Sequence, residues 1–164
     1  MDESTVELDQ LVTELPKVLP DTIDMVTYHL HPEDDYYFEK IEYMKMTNNY
    51  LSRYLNAYSN TTTYPEETVR TALLAYSLLE EEAGKAPIVT RKAARAVENE
   101  SLDLEATSFA WPVLDRMRKN NIFYYNALQD YIHQTKDPPG NWYAAALFYR
   151  IFEKQVELNK QKIN

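Results

Sequence analysis

The sequence predicts an all-α fold, a single-domain bundle of about six helices packed around an apolar C-terminal helix at 141–158. Three observations carry this. Between Trp142 and Phe152 only Arg150 is clearly polar, so the stretch is apolar on nearly every side, as a helix surrounded by others must be. Apolar residues elsewhere recur at helical spacing, and no segment of useful length alternates as a strand would. Prolines and capping residues punctuate the chain, while its two glycines, Gly84 and Gly140, fall where helices should end or begin. With 164 residues the chain is expected to form one domain, 1–164. A domain of this size buries roughly 70% of the surface its unfolded chain exposes.

In order along the chain, Ser4-Thr5-Val6-Glu7 has the form of a capping box, with hydroxyl and carboxylate each able to satisfy an early backbone N–H. Leu8, Leu11, Val12 and Leu15 follow on one face, and Pro16 stops the helix. Asp21 caps a brief helix carrying Ile23, Val26 and Leu30, which the His29–Asp35 stretch ends, because a residue before proline leaves helical geometry. From 35 to 59 the spacing predicts one long helix. Its seam runs through Tyr37, Ile41, Met44, Leu51, Leu55 and Tyr58, and is polar only at Asn48. Pro65 with Glu66 and Glu67 opens a helix over 66–83, since proline and acids suit a first turn, and Gly84 is expected to cap its end.

Residues 87–99 read as a short helix opened by Pro87, with Val89, Ala93, Ala96 and Val97 on one face. Ser101 then offers a cap for a segment bearing Leu102, Leu104, Phe109 and Trp111. Pro112 is expected to kink that segment or start a new one. Leu114, Met117, Asn121, Tyr124, Leu128 and Tyr131 extend a helix over 112–135, loosened at Asn120-Asn121. Asp137-Pro138-Pro139-Gly140 closes it and leads into the central helix.

Composition excludes several chemistries. Without cysteine there is no disulfide, thiolate-bound zinc, iron–sulfur cluster or thiol nucleophile, and two glycines leave little for phosphate-cradling loops. No apolar run approaches the roughly 18 residues a membrane span needs, and the acidic N-terminus is unlike a signal peptide. A cytoplasmic location is expected. The net charge of −9 is unevenly placed: residues 1–42 hold 12 acids against Lys17 and Lys40, whereas 43–164 hold 14 acids against 15 bases. The excess negative charge thus belongs to the first quarter of the chain, a section of short helices and connector expected to pack on or flank the bundle.

Four constellations bear on function. Lys85, Arg91, Lys92 and Arg95 contain no acid among them, and the last three share the face opposite Val89, Ala93 and Ala96. With the preceding helix and Gly84 they outline a helix-turn-helix and an anion or nucleic-acid surface, although an exposed or salt-bridged basic face is the plainer expectation. Glu39 with Glu42, and Asp130 with His133, stand three apart, as ligands do in two-metal bundles. Only three histidines exist, however, so neither metal nor cofactor is expected, and a metal-dependent carboxylate enzyme ranks last. Tyr50, Tyr54 and Tyr58 form a strip among 14 tyrosines, suited either to a bundle's rim or to an interface. The acidic first quarter would present Asp34, Asp35 and Glu39 to a basic partner. The reading that follows is a small acidic, non-enzymatic interaction or regulatory module. It would bind a protein partner, or a second copy, through the acidic face and the tyrosine strip, with a nucleic-acid-binding regulator using 87–99 as the alternative.

Overall fold

The computed structural model describes residues 35–83 and 86–163. Among the described residues it is all-helical: α1 (Asp35–Thr47), α2 (Asn49–Ser59), α3 (Pro65–Ala83), α4 (Arg91–Leu102), α5 (Ala106–Asn120), α6 (Ile122–Ile132) and α7 (Pro138–Ile163). The helices expected at 4–15 and 21–30, the packing of the acidic segment before α1, Asp34, the Gly84 cap and Lys85 lie outside the described residues, as does the Asp35 side chain.

The helix α7 is the centre of the bundle. It packs on α3, α4, α5 and α6, and its residues divide between two apolar clusters. Leu147, Phe148, Ile151 and Phe152 close on a cluster built from α1 to α4. Ala145, Ala146 and Tyr149 close on another built from α3, α5 and α6. The all-round apolarity of 142–152 follows from this double duty, because every direction around the helix meets packed side chains. Arg150, the polar exception, reaches the surface and takes Glu100 with two parallel bonds of 2.9 Å.

Several boundaries differ from expectation: the central helix runs over Pro138–Ile163, beyond 141–158 at both ends, and Ser101 lies inside α4 instead of capping the next helix. The helix expected over 35–59 is two, broken at Asn48, whose φ of −143° and ψ of 61° leave helical geometry. The buried Asn48 amide is the reason: its Nδ2 donates to the Pro87 carbonyl at 2.9 Å and its Oδ1 accepts from Val89 N–H at 3.0 Å. Residues 86–90 are accordingly not helical, in place of a helix starting at Pro87, and Thr90 is extended with φ −100° and ψ 162°. Thr90 ends this run, its backbone and hydroxyl both donating to buried Gln155 at 2.8 Å, while its Oγ1 accepts from Ala93 N–H as the N-cap of α4. Two buried amides thus satisfy the backbone of a segment that belongs to no helix.

The second half of the chain repeats the device. The helix expected over 112–135 is divided at Asn121, with φ −143° and ψ 67°, and Asn121 Nδ2 donates to the Tyr149 hydroxyl of α7 at 2.9 Å. Pro112 does not start a new helix; it lies within α5 on the solvent face. For the helix-turn-helix outline, the α4 helix packs chiefly on α7 rather than on α3, and Gly84 and Lys85 of the expected turn lie outside the described residues.

Candidate functional site

Where α7 begins, it meets the α2–α3 connection and the first turn of α5, and two depressions open side by side. Their shared wall is Ala106, Pro139 and Tyr143. One depression, of about 390 Å³, is lined by Ala110, Trp111, Leu114, Tyr125 and Trp142 together with that wall, without one charged side chain. Tyr125 and Trp142 stack at 5.0 Å with their planes 25° apart. Trp111 stands over the depression with 73% of its surface exposed. It does so because Phe109, Val113, Leu114 and Met117 give α5 its buried face, and position 111 points away from it.

The other depression, of about 410 Å³, has aromatic and apolar walls too, but polar groups are set into them. Thr61, Thr62, Tyr64, Asp137 and Asn141 contribute to it, along with Tyr58. Its floor is fixed by a buried network. The Glu67 carboxylate, turned inward from the first turn of α3, accepts Lys136 N–H at 2.9 and 3.1 Å and Asn141 Nδ2 at 3.4 Å. Asn141 Oδ1 in turn accepts from the Thr71 hydroxyl at 2.8 Å. Asp137 caps α7, its Oδ1 accepting from Gly140 N–H at 3.2 Å. Gly140 leaves the Asp137 carboxylate its place, because a Cβ there would collide with that carboxylate and displace it.

Charge in this depression is mostly of one sign. Burial pushes the Tyr58 hydroxyl well above the usual phenol range, and Tyr143, Glu98 and Asp137 add to the shift. The cation at the rim is Lys136, whose ammonium lies 5.4 Å from the Tyr64 ring centre. Aromatic walls beside a fixed carboxylate suit a cation.

The chain matches no protein-family model, and neither the curated proteins nor the solved structures hold a significant match to it. The site must therefore speak for itself.

A third cleft, of about 700 Å³, lies between α4, α5 and α7. Its two guanidiniums are already engaged: Arg116 grips Glu153 at 2.9 and 3.0 Å, and Arg150 grips Glu100 while also reaching Glu157 at 3.3 Å. Such a paired lattice braces helices and leaves both guanidiniums committed.

Of the residues singled out from the sequence, the tyrosine strip is corrected most. Tyr54 is 1% exposed, edge-on to Phe148 at 5.7 Å, so it cannot touch a partner. Tyr58 packs on the same ring at 6.1 Å and comes to the surface only as a wall of the second depression. Tyr50 is half-buried beneath the Arg91 guanidinium, 5.8 Å from its ring centre. Tyr54 and Tyr58 face inward because Phe148 of α7 covers them. Glu39 is exposed on α1, remote in sequence from every groove residue. Arg91 and Lys92 are exposed and Arg95 is half-buried. The carboxylates and imidazole of 39, 42, 130 and 133 are not gathered with others into a metal-holding group among the described residues. Trp111 and Trp142 were not singled out. The available signal was a tryptophan standing off the apolar spacing of its own helix.

Proposed function

We propose that the protein is an interaction module that captures a partner protein in the groove walled by Trp111, Tyr125 and Trp142. The supporting observation is the exposed Trp111 indole beside an uncharged depression of about 390 Å³. Concave, aromatic-lined sites of this volume are the usual receptors for apolar side chains, and tryptophan and tyrosine dominate the energetics of protein contacts. An indole left in water on a soluble bundle gains nothing for folding, whereas in a contact it contributes a large area at small entropic cost. Phe123, 79% exposed, and the exposed Ile122 begin α6, the helix that carries Tyr125. The strongly acidic first quarter supplies a field that steers a basic partner toward the body.

The test is affinity capture from the native source by the whole chain beside its Trp111→Asp variant. Partners held by the first and lost by the second are expected. Equal retention by both chains would overturn the proposal.

The packing of Arg91 on Tyr50, with Arg53 close enough to act on the same phenol, favours a second, weaker reading as a polyanion-binding face. It requires DNA affinity that falls steeply with salt and with Arg91→Ala and Lys92→Ala. Indifference to DNA at low salt removes it.

A further inference from the structure

The two depressions share three wall residues, and only one of them carries a carboxylate, so a segment lying across the shared wall would meet both an uncharged aromatic surface and Asp137. We infer that the groove reads a two-part element in its partner: a bulky apolar side chain set against Trp111 and Trp142, with a lysine or arginine close by in the same segment paired to Asp137. The inference rests on the proposed interaction function and adds which protein segments the groove accepts and which it refuses.

Several features fit Asp137 for this role. Its backbone is pinned from both sides, by Glu67 on the preceding Lys136 N–H and by its own carbonyl accepting from Asn141. Its Oδ1 is occupied by the cap bond to Gly140, whereas Oδ2 takes no hydrogen bond among the described residues. Gly140 leaves room for the carboxylate to stay in place. A carboxylate held rigid before the ligand arrives loses little entropy on pairing, and a charge-assisted bond beside aromatic walls is stronger than one in open water.

The sign of the surroundings agrees. Glu105 immediately precedes the shared wall residue Ala106 and is exposed, its side chain making no cap bond. Glu98 lies near enough to act on Tyr58 and Tyr143. The nearby ammonium of Lys136 is engaged with Tyr64 and makes no ion pair with Asp137, so it shows that this rim tolerates a cation without filling the place. An acidic segment would meet the carboxylates of Asp137 and Glu105 and be refused.

Random peptides displayed on phage and selected on the immobilised full chain test this, with Trp111→Asp and Asp137→Asn chains as parallel targets. Asparagine caps a helix as well as aspartate, so the second variant keeps the start of α7. The wild-type chain should enrich peptides carrying a bulky apolar residue with a nearby Lys or Arg. The Asp137→Asn chain should keep the apolar preference and lose the basic one, and the Trp111→Asp chain should enrich none of these peptides. For a synthesised winner, replacing its basic residue by glutamine should weaken binding to the wild-type chain roughly tenfold, and have almost no effect on binding to Asp137→Asn. That peptide substitution on the wild-type protein keeps the test decisive if a variant folds poorly. Apolar enrichment without a basic preference, or a basic preference that survives Asp137→Asn, overturns the inference while leaving the interaction function intact. Enrichment of the same peptides by Trp111→Asp, or no enrichment by the wild-type chain, overturns the function itself.

Discussion

Asn48 and Trp111 act in opposite ways. Asn48 spends both amide groups on the backbone of residues 86–90, so Asn48→Ala leaves a carbonyl and an N–H unpaired inside the protein. Each such group costs about 1–3 kcal/mol, and a loss of at least 2 kcal/mol, by extrapolation from urea denaturation, is the expected result. Asn48→Asp keeps the acceptor but sets a buried carboxylate against the Pro87 carbonyl, and should cost at least as much near neutral pH. Trp111→Ala should change stability by less than about 0.5 kcal/mol, since exposed side chains away from caps and cavities contribute little to folding. The same variant should lose partner capture, and that dissociation of stability from binding marks a residue retained for contact. Gly140→Ala probes the cap: alanine gains about 1 kcal/mol in helix propensity, and displacing Asp137 costs a similar amount. Its urea midpoint should therefore barely move, while the preference for basic peptides disappears.

Among the elements, α7 and α3 were legible to within a few residues, because long apolar periodicity and a proline-acid start survive any tertiary context. The breaks at Asn48 and Asn121 were only half legible. An asparagine in an apolar seam is visible, but whether it stays helical depends on a partner far away in the chain, Pro87 and Val89 for one and Tyr149 for the other. Residues 86–90 were misread for the same reason, since Pro87 suits the first turn of a helix and nothing local announces that Asn48 and Gln155 will hold the chain out of a helix. The groove was not legible at all, for its walls come from 58–68, 106–125 and 137–143, and only packing brings these together. On α7 itself, Phe148 is fully buried and meets both Tyr54 and Tyr58 edge-on. Phe148→Ala should cost about 3–5 kcal/mol in a denaturation titration. Both tyrosine rings should then become more accessible to quenchers.

For the molecule as a whole, the buried phenols set an alkaline limit. Burial raises Tyr54, Tyr58 and Tyr131 above their usual value. The folded state therefore holds protons that the unfolded chain releases above about pH 10. Stability contributed by these groups is fully present below that pH and is lost as pH climbs toward the raised folded values. Denaturation midpoints should fall steeply above about pH 10, and phenolate absorbance should rise in two stages, exposed tyrosines first and buried ones with unfolding. A single smooth titration of all 14 tyrosines at a normal value would contradict the packing described here.

The sharing of α7 between two apolar clusters also shapes how the protein opens. A bundle with separate cores can release one half while the other persists, whereas here Phe148 and Tyr149 are neighbours on one helix and belong to different clusters. Neither cluster can come apart without stripping one side of the same helix. Amide hydrogens from Ala144 to Phe152 should consequently exchange with solvent only through complete unfolding, and report the global free energy. Those of α1, which packs against α2 and α3, should exchange through smaller and more frequent excursions. A ligand in the groove bridges the first turn of α7 to α5 and α6, so its signature should be slower exchange along the α5–α6 pair, with the α7 core, already at its ceiling, slowing only as far as global stability rises.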